Sequence, residues 1–197
     1  MLEDGSVYEG TARGDFKETA CEIVFNTSMT GYVEILTDPS YAGQGVVMTY
    51  PMIGNYGISR EDFESERLQP SAFIVHELSS DPSNFRCTDT IENLLKEYNI
   101  PCISGVDTRA VVKKLRESGT MRGVLTSDIG DRERLMDGIK SFRQIDLVGS
   151  VTAKQTKVYG EENTGAEIAL MDFGTKRNII NNLVKRNCIV TVYPSFT

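Results

Sequence analysis

Residues 25–57 read FNTSMTGYVEILTDPSYAGQGVVMTYPMIGNYG. Turn-forming clusters (Asn26-Thr27-Ser28, Thr37-Asp38-Pro39-Ser40 and Gly54-Asn55-Tyr56-Gly57) alternate there with short apolar runs. Hydroxyl and amide side chains crowd these turns, and Pro39 fixes φ early in its turn. Residues 45–50 (GVVMTY) form a β-branched run stopped by Pro51, which predicts a buried strand. Residues 29–36 (MTGYVEIL) fit either a strand or a short helical turn. The stretch therefore predicts a β-rich unit whose polar groups sit on tight turns, where a rigid sheet can present them.

Upstream, residues 1–9 are expected to form a short strand, with a turn through Arg13-Gly14-Asp15, and residues 20–26 (ACEIVFN) a second strand. Downstream, residues 59–67 (SREDFESER) are so charged that a solvated segment is expected. Residues 71–78 (SAFIVHEL) predict another strand, with His76 at or near its end. Ile91, Leu94, Leu95 and Tyr98 recur at helical spacing behind Asp89 or Thr90 as N-cap. Residues 100–106 predict a strand, and Asp107 is placed to cap a helix over TRAVVKKLRES that Gly119 would end. Residues 121–126 predict a strand. Residues 132–142 predict a weak helix broken at Gly138.

Residues 151–165 are polar and lack periodicity, so they read as a linker after a first domain spanning residues 1–150. Residues 166–174 then predict a buried strand, residues 175–186 a helix and residues 188–193 a second strand. This is the opening of an α/β unit. One parallel pair with a single helix cannot cover both faces of a sheet, so residues 166–197 are expected to be part of a larger, incomplete domain. The fold class expected is α/β: a β-rich first domain with a few helices, then a strand–helix–strand.

Composition excludes several functions. There are 28 acidic and 21 basic residues, a net charge of −7, which disfavours a nucleic-acid surface. No apolar run is long enough for a membrane span, and no secretory signal opens the chain. Cys21, Cys87, Cys102 and Cys188 are scattered without metal-ligand spacing, a pattern that fits free thiols in a reducing cytoplasm. His76 is the single histidine, which restricts any imidazole-dependent catalysis. No GxGxxG follows a predicted strand, so no dinucleotide site is indicated.

FNTSMTGY, TDPSY and YPMIGNYG occur in an order and spacing that continue with SNFR (83–86), GVDTR (105–109) and ALMDFGTKRNII (169–180). This set, covering residues 2 to about 194, resembles the small subunit of glutamine-dependent carbamoyl phosphate synthetase. The resemblance implies a β-rich N-terminal domain followed by a class I amidotransferase domain. In that family a cysteine thiolate with a His–Glu pair hydrolyses glutamine, and ammonia passes to a large subunit that uses ATP and magnesium. The nucleophile's GxCxGHQ-like segment and the NGPGDP-like loop match nothing here, so no catalytic residue, metal or cofactor is assigned to this chain. The start before LEDG is also a few residues shorter than the family's. One glutamine contact carries over: the serine of TDPSY, here Ser40, whose hydroxyl can both donate and accept a hydrogen bond. The resemblance thus implies L-glutamine and the large subunit as partners. The rival expectation is a non-catalytic module that docks on a large partner and is indifferent to where Ser40 faces.

Overall fold

The structure is a computed structural model that describes residues 1–14, 16–143 and 146–197. Asp15, at the end of the turn expected after Arg13, lies outside the described residues. In chain order the elements are β1 (Thr11–Arg13), β2 (Thr19–Asn26), α1 (Tyr32–Thr37), β3 (Gln44–Met48), β4 (Met52–Ile53), β5 (Ala72–Ile74), β6 (Glu77–Leu78), α2 (Ile91–Glu97), β7 (Cys102–Ser104), α3 (Thr108–Ser118), β8 (Met121–Leu125), α4 (Arg132–Ser141), α5 (Leu147–Val151), β9 (Lys157–Tyr159), β10 (Glu167–Asp172), α6 (Arg177–Lys185) and β11 (Ile189–Pro194).

Six strands form one mixed sheet in the order β1-β7-β5-β3-β2-β8. The inner pairings β2–β3, β3–β5 and β5–β7 are parallel, while β1 and β8 close the edges antiparallel. β3 is buried on both faces, which is why it reads as an unbroken apolar run. The two-residue alternation of a strand splits its side chains: Val46 and Met48 join a core with α1 and α2, and Val47 points to the core under α3. α2 and α3 begin as their sequences predict, with Thr90 accepting from the Asn93 N–H and Asp107 accepting from the Ala110 N–H. Gly119 ends α3 at φ 84°.

Several expectations need correction. Residues 1–9 are not a strand: the Ser6 N–H bonds Asp4 Oδ1 (2.9 Å), the Leu2 N–H bonds the Ser6 carbonyl, and only Leu2 bridges Gly123. The ambiguous 29–36 segment resolves as helix α1. Residues 71–78 divide into β5 and β6, and β6 pairs with β4 in a separate two-stranded sheet. α4 runs unbroken through Gly138, because Leu135 and Ile139 anchor it beside Val124 of β8 and outweigh the cost of about 1 kcal/mol of an exposed helical glycine.

The segment 59–67 is not simply solvated. Phe63 and Glu64 are buried, with Phe63 joining the α1/α2 core. The polar stretch 151–165 contributes β9, which pairs antiparallel with β11, while β10 and β11 run parallel as a second sheet with α6. β10 is not fully buried: Glu167, Ala169 and Met171 are exposed at alternate positions.

Candidate functional site

Ser40 sits in a single 3-10 turn, Pro39–Tyr41, between α1 and β3. Asp38 caps that turn, its Oδ1 accepting from the Ser40 N–H at 2.9 Å. The Ser40 side chain is exposed, whereas Thr37, Asp38 and Pro39 are buried. The turn therefore holds its backbone rigidly and leaves one hydroxyl outward.

The turn faces the end of β10 and the start of α6. Asp38 Oδ2 pairs with Lys176 Nζ at 2.8 Å, and this carboxylate contact holds the Lys176 pKa above its ordinary value. Gly174 lies against Pro39 so closely that a Cβ there would meet Pro39 Cβ at 3.0 Å and Val151 Cγ2 at 2.9 Å. Its φ of 100° is itself glycine territory. Asp172 shapes this corner: Oδ1 accepts from the Gly174 (3.0 Å) and Thr175 (2.7 Å) N–H groups, and Oδ2 accepts from the Ala153 N–H (2.6 Å). Thr152 adds a bond from its hydroxyl to the Asp172 carbonyl at 2.6 Å.

A second strut comes from the connection between β4 and β5. The Glu64 carbonyl accepts from the Arg177 N–H (2.7 Å), and its carboxylate accepts from the Asn178 N–H (3.1 Å) and Asn178 Nδ2 (2.7 Å). Three carboxylates are buried among the described residues, Asp38, Glu64 and Asp172, and all three lie at this seam. Each is held by N–H donors or a lysine, as a buried charge requires. Sequence reading singled out Ser40 but missed Asp38, Glu64, Lys176 and Asn178 as its supports. Glu64 carried no local signal, since Asn178, which its carboxylate holds, lies 114 residues away.

Other candidates stand apart. Cys21 and Cys102 are buried, and burial pushes both thiols up to about 12, far from a reactive thiolate. Cys87 and Cys188 are half-buried. His76 is exposed, its Nδ1 3.0 Å from the Val106 carbonyl. Among the described residues no cluster of His, Cys, Asp and Glu could hold a metal ion, and no helix is long and apolar enough to cross a membrane. The SNFR stretch forms a loop in which Arg86 pairs with Asp62 (2.6 Å) and Glu61 (3.3 Å).

A family model described as the carbamoyl-phosphate synthase small chain, CPSase domain, matches residues 1–125. The chain belongs to the carbamoyl-phosphate synthase small chain family. It is 48% identical over 195 residues to the carbamoyl phosphate synthase small chain of Clostridium perfringens, covering 98% of this chain and 55% of that protein. The corresponding protein of Archaeoglobus fulgidus is 46% identical over 198 residues (98% and 54%), and that of Listeria innocua 45% over 195 residues (98% and 53%). The chain thus spans about half the length of the curated relatives it matches. Against the small-chain relatives the similarity runs through both sheets, so the seam lies within the shared region.

Proposed function

We propose that this chain supplies the first domain, and the opening of the second, of a small subunit that hydrolyses glutamine for carbamoyl phosphate synthesis. In this reading residues 1–150 are the first domain, 151–165 lead across while lending β9 to the second sheet, and 166–197 begin the amidotransferase domain. The seam geometry carries the reading: the Ser40 turn is braced against the β10–α6 corner with its hydroxyl free to meet an amino-acid substrate. A hydroxyl suits either end of such a ligand, donating to a carboxylate or accepting from an ammonium. The cysteine, its base and the oxyanion donors would come from residues outside this chain, so the 197 residues alone are inactive in this reading. Ammonia would pass to a large subunit, which uses ATP and magnesium, in a cytoplasmic heterodimer serving arginine and pyrimidine synthesis.

The test is Ser40→Ala in the full-length protein with its large subunit. Loss of one hydrogen bond to a charged substrate group is expected to raise the glutamine KM about tenfold. An unchanged KM would remove Ser40 from the site.

A further inference from the structure

Helix α6 has no cap of its own, since Lys176 at the N-cap position makes no side-chain bond to the helix. Such a helix start leaves its first N–H groups without intrahelical partners. Glu64 takes two of them, Arg177 by its carbonyl and Asn178 by its carboxylate, and adds the Asn178 side-chain amide. Its negative charge also stands where the helix dipole favours an anion. A residue on the connection into β5 thus caps a helix 114 positions downstream.

Glu64 is in turn fixed from the Ser40 side. Its N–H donates to Thr37 Oγ1 at 2.9 Å, and the Ser65 hydroxyl donates to the Thr37 carbonyl at 2.6 Å. Thr37 is the last residue of α1 and stands three positions before Ser40. Just ahead of the capped turn of α6, Lys176 holds Asp38, and Asp38 holds the Ser40 N–H. Thr37, Glu64, the α6 N-terminus, Lys176 and Asp38 close a loop of contacts that ends on the Ser40 turn.

We propose that Glu64 is a positioning residue for glutamine recognition. It registers the start of α6 against the Ser40 turn and touches no substrate itself. The proposal rests on the reading of Ser40 as a glutamine contact. A tether that served only to hold two units together would alter stability and leave substrate affinity alone. A registering residue alters KM through α6.

The experiment uses the full-length small subunit with its large subunit and compares Glu64→Ala, Glu64→Gln, Asn178→Ala and the Glu64→Ala/Asn178→Ala pair. Glu64→Ala is expected to raise the glutamine KM about tenfold while kcat stays within about twofold. Glu64→Gln keeps an acceptor for the Asn178 N–H and recovers most of that loss. The double variant is no worse than Glu64→Ala, because both changes cut one link. If Glu64→Ala does not fold, the Gln and Asn178 variants carry the same comparison. A raised KM in Ser40→Ala beside unchanged values in the Glu64 and Asn178 variants overturns this proposal alone. An unchanged KM in Ser40→Ala overturns the underlying reading and this proposal with it.

Discussion

Replacing Thr37 by Val tests how dry the seam is. The Thr37 side chain is fully buried, donates to the Val33 carbonyl at 2.8 Å and accepts from the Glu64 N–H at 2.9 Å. Valine keeps the shape and removes both bonds. The Val33 carbonyl loses little, because the α1 ladder offers it a backbone donor. The Glu64 N–H has no such alternative, and an orphaned buried donor costs about 1–3 kcal/mol. The new methyl group offsets roughly 0.8 kcal/mol of this. The net expectation is a loss of about 0.2–2.2 kcal/mol, read from urea unfolding as a lower midpoint with an unchanged slope. Amide exchange at Glu64 should quicken in Thr37→Val and stay slow in Thr37→Ser, which keeps the hydroxyl. A Val variant as stable as the parent, with slow exchange at Glu64, would refute the claim that this hydroxyl holds the residue.

Gly174→Ala should destabilise by about 1–3 kcal/mol, since φ is 100° and the added Cβ meets Pro39 and Val151; a neutral melt would show that the corner yields easily. Asp4 beside Lys114 (2.9 Å) and Glu18 beside Arg134 (2.7 Å) are both held down at about 2, below ordinary values of 3.8 and 4.5. Depressed carboxylates stabilise above their ordinary values and lose that contribution as pH falls toward 2. The Tm gap between parent and Asp4→Asn or Glu18→Gln should therefore be small at pH 7, given their exposure, and close near pH 2. A gap of equal size at both pH values would contradict this. Thiol labelling should reach Cys87 and Cys188 in the native protein and Cys21 and Cys102 only on unfolding, and rapid native labelling of the latter pair would refute their burial.

The parts of the fold that were legible are those whose cause is local. The β3 run, the Thr90 and Asp107 caps, Gly119 at the end of α3 and the β10–α6–β11 alternation each carry their determinants within a few residues. The missed parts are decided elsewhere. Asp4-Gly5-Ser6 closes a turn within residues 1–9, where a short strand was expected. β9 is a strand because β11 offers its edge; the Val158-Tyr159 pair favours a strand but is too short, within a polar stretch, to announce one. Glu64 sits in a run of charges that reads as solvated, yet its bonds to Thr37 and to the start of α6 go with its burial. Ser40 was reached through the family resemblance, because a serine in a proline turn is otherwise an ordinary turn residue.

Strand order explains why the Ser40 turn and the Glu64 segment come to one place at all. β3 and β5 are adjacent and parallel, with Gly45 beside Ala72, so the connections entering them arrive at one edge of the sheet. The Ser40 turn precedes β3 and the Glu64 segment precedes β5. An antiparallel pairing of these two strands would have sent the two connections to opposite ends. In open α/β sheets ligands bind outside the carboxyl ends of the strands. At this seam the first unit presents amino ends, whereas β10 presents its carboxyl end at Asp172 followed by the start of α6. By that rule the binding edge would belong to the second unit, and under the proposed function the first unit would reach across with Ser40 and hold α6 with Glu64. Such a division of labour predicts that substitutions along the amino ends of β3 and β5 act on substrate affinity in proportion to how far they move the β10–α6 corner.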